Sequence, residues 1–168
     1  TSHGSYLLNP DTTIGIPSTD AGTCNDRTDM LNADTIVFYA SNPAWSAPGT
    51  PSYHYLRAKE AGVKFITVDP IYTASAQMLD AYWIPIRTGT DTAFMLGVAS
   101  EMLRLDKEEG DVIDWDFLDK YTVGFDADHK PDDLKEDVNF RDYVEGVYDG
   151  QPKTAEWAPN ICGVPVEQ

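Results

Sequence analysis

Three short turns hold the residues that could do chemistry, and each follows an apolar run. Ser41-Asn42-Pro43 follows residues 35–40, Asp69-Pro70 follows 64–68, and Arg87-Thr88-Gly89-Thr90-Asp91 follows 83–86. Asn42 can donate and accept hydrogen bonds at once, which suits a base edge or a phosphate oxygen. A carboxylate at Asp69 can accept two hydrogen bonds from a ribose diol, or from the N1–H and N2–H of a guanine. A Gly-Thr-Asp turn that opens a helix offers backbone N–H groups and a positive dipole end to an anion. Each turn also has a plainer reading: Asn-Pro and Asp-Pro initiate turns, and Gly-Thr-Asp caps a helix. Their combination says more than any one of them.

The elements that must position these turns alternate. Residues 35–40 (TIVFYA) form a short β-rich run of the kind buried on both faces of a sheet. Residues 52–61 read as a helix closed by Gly62, and 64–68 (KFITV) as a second strand. A short helix is expected over 75–81 and a third strand over 83–86, where Pro85 limits pairing to an edge or a strand end. The clearest helix spans 91–106. Phe94, Met95, Val98, Met102 and Leu105 share one face of it, expected to be core; Thr90 stands at its N-cap and Asp91 in its first turn. Residues 1–34 read as irregular apart from a short helix near 26–32. The tail adds short helices near 115–121, 139–148 and 154–161. Strand–helix alternation of this kind specifies an α/β fold: a doubly wound, mostly parallel, Rossmann-like sheet with helices on both faces. Ligands of such sheets bind beyond the carboxyl ends of the strands, where the three turns fall.

Composition narrows the function. The 168 residues suit one domain, with an α/β core over about 33–125 and an acidic, short-helical tail over 126–168. With 12 Lys and Arg against 28 Asp and Glu, the net charge is −16. That opposes binding to nucleic acid or to an anionic membrane surface, and the late acidic runs read as a solvated face. No apolar stretch is long enough for direct membrane insertion, and the start does not resemble a signal peptide. Cys24 and Cys162 could form one disulfide or stay as buried thiols. Together with His3, His54 and His129 they make no zinc or iron–sulfur spacing. No GxGxxG follows a strand, no P-loop is present, and no nucleophile–base pair has supporting context. The residues by themselves indicate a nucleotide-like ligand without evident catalytic machinery.

The stretches FYASNPAWSAPG, LRAKEAGVKFITVDPIYTASA and YWIPIRTGTDTAFMLGVASEML occur in that order. They resemble the molybdopterin oxidoreductase family, and within it the dimethyl sulfoxide reductase-like catalytic subunit. Residues 117–125 (FLDKYTVGF) and KTAEWA with GVP over 153–165 continue the likeness. The resemblance implies a fragment of a larger subunit that binds part of a molybdenum bis(molybdopterin guanine dinucleotide) cofactor. By motif, Asn42 and Pro43 match the Asn-Pro loop, Val68 and Asp69 the strand end that meets the guanosine, and Gly89, Thr90 and Asp91 the loop at the nucleotide end. The sequence departs from the pattern at Ile71, where the family has Arg, at Thr73-Ala74-Ser75-Ala76, which lacks an acid, and at Thr88, where it has Pro. Aligned on the likeness of His3-Gly4-Ser5-Tyr6 to a family motif, Leu7 takes the metal-ligand position. A leucine has no donor atom, so no metal ligand is named.

The expected parent is an oxidoreductase that transfers an oxygen atom or two electrons on a small substrate. The resemblance implies an iron–sulfur cluster elsewhere in that parent, contacts with other domains of the same subunit, and an iron–sulfur electron-transfer subunit with a membrane anchor. It also implies the extracytoplasmic face of the cytoplasmic membrane. This chain alone is expected to be inactive. Two other readings stay open: a nucleotide-binding α/β enzyme of another class, and a non-catalytic acidic α/β interaction module.

Overall fold

The computed structural model describes residues 27–46, 51–131 and 138–167. A 3-10 helix, Arg27–Asn32, leads into β1 (Thr35–Tyr39). Then follow α1 (Pro43–Ser46), α2 (Pro51–Glu60), β2 (Lys64–Val68), α3 (Ala74–Leu79), β3 (Tyr82–Ile84) and α4 (Asp91–Glu109). The tail contributes α5 (Trp115–Tyr121), α6 (Phe140–Glu145) and α7 (Ala158–Cys162). The three strands form one parallel sheet in the order β1-β2-β3, with Tyr39 opposite Val68 and Val68 opposite Ile84. The α/β reading therefore holds.

Element limits follow local chemistry. β3 stops at Ile84 rather than 86 because Pro85 has no N–H to donate. α3 stops at Leu79 rather than 81 because Asp80 turns left-handed (φ +55°) and its amide reaches the Ala76 and Gln77 carbonyls. α6 stops at Glu145 rather than 148 because Gly146 turns left-handed (φ +79°). A Cβ there would sit 2.5 Å from the Pro152 nitrogen, so only glycine fits. α1 was not anticipated; Pro43 supplies a ready-made helical φ at its first position.

Alternation along β2 divides the core. Phe65 faces α2 and α3, packed with Phe38, Ala58, Ala76 and Leu79. Val68 faces the other way, packed with Ile84, Ile86, Ala158, Cys162 and Val164. Helices thus cover both faces. Cys162 is a buried free thiol within this second cluster, and Cys24 lies outside the described residues.

Two burial expectations fail. β1 is not buried on both faces: Val37 is 43% exposed and Tyr39 38%, because the α4 and α7 cluster packs over β2 and β3. The α4 stripe expected as core is not the buried one either. Met95, Val98 and Met102 are 42–44% exposed, while Ala93, Leu96, Gly97 and Leu103 are buried. The small residues win because α4 is clamped from two sides. α7 approaches at Gly97, and the tail packs Val144, Trp115 and Phe125 around Leu96 and Leu103. Val98, Met102 and Leu105 instead border an open apolar groove of about 410 Å³ beside α7.

Several late acids organise this part of the chain, Asp114 and Asp126 among those expected to be a solvated face. Asp106 accepts the Val112 and Ile113 amides and the Trp115 indole, and these bonds hold its carboxyl below the usual carboxylate range. Asp114 caps α5 through the Phe117 amide. Asp149 binds the ammonium of Lys153, which is only 2% exposed and lies 4.5 Å from the Tyr143 ring. In the turn before α6, Asp126 Oδ1 lies 2.8 Å from His129 Nδ1 and accepts the Asp128 and His129 amides.

Two outcomes are expected. A Cβ at Gly97 would stand 2.8 Å from the Ala158 Cβ. Gly97→Ala should therefore cost about 1–3 kcal/mol in denaturant unfolding, and adding Ala158→Gly should recover part of it. The second concerns the Asp126–His129 pair. Its hydrogen bond raises the imidazole pKa and lowers that of the carboxyl. The histidine contribution is complete below the ordinary imidazole pKa and is lost as pH rises through the raised one. The aspartate contribution is complete above the ordinary carboxylate pKa and is lost as pH falls through the lowered one. His129→Gln should thus reduce thermal stability most at about pH 5–6, between the ordinary carboxylate and imidazole values, and the difference from wild type should shrink as pH rises through the raised imidazole pKa.

Candidate functional site

Parallel pairing puts the segments after β1, β2 and β3 at one edge of the sheet. β1 is followed by Ala40, a non-glycine residue in the left-handed region (φ +45°) whose amide still reaches the Val68 carbonyl at 3.1 Å. The chain then turns through Asn42 into α1. Asn42 Oδ1 accepts the Ser75 hydroxyl at 2.7 Å and the Ser75 amide at 3.2 Å. The same hydroxyl oxygen accepts the Ala44 amide at 3.0 Å. Ser75 is fully buried, so the segments after β1 and β2 are tied through one serine. Thr73 supports it by capping α3 through the Ala76 amide. In sequence, 73–76 is marked by the loss of an acid; the Thr-x-Ser that opens α3 is the local signal of this tie.

Asp69 is 8% exposed. One carboxylate oxygen accepts the Ile71 amide at 3.0 Å, and among the described residues nothing else hydrogen-bonds that carboxylate. Its backbone is fixed on both sides: its amide donates to the Ile84 carbonyl, and its carbonyl accepts the Trp83 indole N–H at 2.8 Å. Tyr72 packs edge-on against Trp83. Ile71, at the family's arginine position, is 66% exposed and brings no charge. The Val68 and Pro43 side chains are buried, so these two predicted residues shape the edge from below. Val68 presents only backbone there, and Ala40 already takes its carbonyl.

The third turn differs from expectation in one respect. Thr90 occupies the N-cap position of α4, but its hydroxyl donates backward to the Arg87 carbonyl at 2.7 Å and caps no amide. Of the first-turn amides of α4, that of Ala93 donates to the Thr90 carbonyl at 3.0 Å, and among the described residues those of Asp91 and Thr92 have no acceptor. Gly89 takes φ +77°, and the space a Cβ would occupy is open. Asp91 begins α4 and reaches electrostatically across to β1: burial, and then the Asp91 charge, push the Tyr39 phenol above its ordinary pKa. All seven predicted residues thus lie on or beneath one edge. Ser75, Trp83 and Tyr39 were missed. Away from it, Asp119, Asp126 and His129 bring ligand atoms within 4.8 Å of one another, the one such grouping among the described residues.

The Asn42–Ser75 bond yields a direct test. Asn42→Ala strands the buried Ser75 hydroxyl and amide and should cost about 1–3 kcal/mol. Ser75→Ala removes a partner of both Asn42 and Ala44. Urea denaturation of the two single variants and the double should give a coupling energy of about 1–2 kcal/mol; additivity would mean the two turns are not tied.

Comparison with known proteins identifies the family. Residues 2–112 match the family model for molybdopterin oxidoreductase. The chain is 38% identical over 145 residues to the trimethylamine-N-oxide reductase of Haemophilus influenzae, covering 82% of this chain and 16% of that protein. It is 35% identical over 148 residues to the dimethyl sulfoxide reductase DmsA of the same organism, covering 86% and 18%. It is 37% identical over 144 residues to the dimethyl sulfoxide/trimethylamine N-oxide reductase of Cereibacter sphaeroides, covering 82% and 16%. The chain therefore spans less than a fifth of the length of these relatives. Acetylene hydratase from Pelobacter acetylenicus shares the fold, with a TM-score of 0.54 and 19% identity over 97% of this chain and 19% of that one. With a family model matched over most of its length, the chain belongs to the molybdopterin oxidoreductase family.

Proposed function

We propose that this chain is a cofactor-binding piece of a dimethyl sulfoxide reductase-like oxidoreductase and that its sheet edge takes the guanosine end of a molybdopterin guanine dinucleotide. The observation that carries this reading is Asp69: a nearly buried carboxylate at a parallel-strand end, with one oxygen held by its own turn and the other without a donor among the described residues. Asp69 and Asp91 are both acceptors. They fit the hydroxyls of a ribose and the N–H groups of a guanine, and they repel phosphate. Asn42 has committed its carbonyl to Ser75, so only its amide N–H groups remain to meet an acceptor. With Ile71 in place of an arginine, the edge suits the nucleoside better than the pyrophosphate.

When bound, such a cofactor supplies the oxygen-atom or two-electron transfer, and the protein's share is orientation and electrostatics. Here that share is the fixed backbone of Asp69, the acceptors Asp69 and Asp91, and the open approach at Gly89. The metal, a second pterin, the substrate pocket and an iron–sulfur cluster belong to the rest of the parent. The same holds for an electron-transfer subunit, a membrane anchor and a place at the extracytoplasmic face. No helix among the described residues is long and apolar enough to cross a membrane.

Titration of the chain with GDP and ADP by calorimetry tests the reading. Binding of GDP should be saturable, and Asp69→Ala should weaken it about tenfold or more, as expected for a lost hydrogen bond to a charged group. An equal loss for ADP would assign Asp69 to the ribose, and a loss confined to GDP would assign it to the base. If neither Asp69→Ala nor Asp91→Ala changes GDP affinity, or if the full-length parent holds neither molybdenum nor tungsten, the proposal fails.

A further inference from the structure

The last three carbonyls of α7 converge on one residue 73 or more positions earlier in the chain. The Arg87 guanidinium donates through Nη1 to the Asn160 carbonyl at 3.1 Å and the Ile161 carbonyl at 3.2 Å. Its backbone amide donates to the Cys162 carbonyl at 2.9 Å. A helix end leaves its final carbonyls without intrahelical donors, and a cation there also meets the negative end of the helix dipole. The contact continues along the side chain. Gly163 turns left-handed (φ +75°) beneath the Arg87 stem, and a Cβ there would lie 3.1 Å from Nε and 3.3 Å from Cγ. One residue before, Ile86 is buried against Cys162 and Val164.

On the other side, the Arg87 carbonyl accepts the Thr90 hydroxyl at 2.7 Å. Among the described residues Thr88, Gly89 and Asp91 have no hydrogen-bond tether of comparable kind, and Thr88 and Gly89 are exposed. Arg87 is therefore the junction between α7 and the 88–91 turn. α7 is itself anchored: Gly97 of α4 touches Ala158, and Trp157 joins the cluster around Leu96 and Leu103.

We infer that Arg87 is a positioning residue, through which the C-terminal helix α7 sets the conformation of the 88–91 turn and hence the affinity of that turn for a nucleoside. The inference rests on the proposed nucleotide reading for its consequence, but its structural half can be measured separately. In the full 168-residue chain, Arg87→Met keeps an unbranched stem and removes both guanidinium bonds, while Arg87→Lys keeps a cation that can reach one carbonyl. Amide hydrogen exchange over 88–91, GDP affinity and the thermal midpoint are compared for the three proteins, with affinity read well below the midpoint.

Arg87→Met should speed exchange at 88–91 about tenfold and weaken GDP by a similar factor, with Arg87→Lys between the two and exchange in β2 unchanged. A purely structural role would lower the midpoint and speed exchange everywhere, with GDP affinity intact. That result overturns the inference, as does exchange at 88–91 that stays at the wild-type rate. If wild-type chain does not bind GDP, the nucleotide reading falls, and the local exchange contrast among the three proteins then decides whether Arg87 positions the turn.

Discussion

Parallel pairing is the constraint from which the rest follows. A parallel strand cannot be reached by a tight hairpin, so each connection must cross a face of the sheet and return to the same end. With β1, β2 and β3 in register through Tyr39, Val68 and Ile84, all three chain exits fall side by side. Three polar turns separated by some twenty to thirty residues of sequence become one surface for this reason alone. Nothing in the turns themselves needs to attract the others. What local chemistry adds is rigidity: Ser75 ties the first exit to the second, and the Asp69 amide ties the second to Ile84.

The charge at this edge is the reason the proposed reading assigns it to the nucleoside end of a dinucleotide. Asp69 and Asp91 are acceptors, and the position where a cation would offset them holds Ile71, two-thirds exposed. Arg87, the cation nearest in sequence to the third turn, has turned its guanidinium to the α7 carbonyls. An anion brought here would meet two carboxylates with only helix amides and the Asn42 amide to offset them. A neutral donor-rich group meets no such penalty. Under the proposed reading, the electrostatic balance among the described residues thus favours the sugar and base.

The sheet was legible because its signals are local. TIVFY and KFITV are β-rich runs bounded by turn residues, and the position of the edge follows from strand direction alone. The α4 stripe was misread because periodicity reports how many apolar residues share a face, not which face a neighbour reaches first. Gly97 and Ala93 allow close approach, and the larger Met95, Val98 and Met102 were left outside. Thr90 was misread for a related reason: the N-cap position was identified, but whether a hydroxyl points forward to an amide or backward to a carbonyl depends on the backbone of the preceding turn. Ser75 and Arg87 were invisible as tethers, since their partners lie 33 and 73 or more residues away.

The tail is where this distinction matters most. By composition, 126–168 is an acidic appendix. By packing, it supplies Val144 and Trp157 to the cluster around α4, and Ala158, Cys162 and Val164 to the cluster beneath Val68 and Ile84. Among its described acids, Asp126, Glu145 and Asp149 are ion-pair partners, and even its buried lysine is held by Asp149 and two aromatic rings. The KTAEWA and GVP stretches that resemble the family therefore lie on the segment that closes the sheet's second face and ends against Arg87. Without α7, Val68 and Ile84 would lose their cover, and the third turn would lose the group that fixes where it starts. A sheet edge can gather three turns by topology, but a turn of Gly-Thr-Asp holds one shape only if something outside it does the holding.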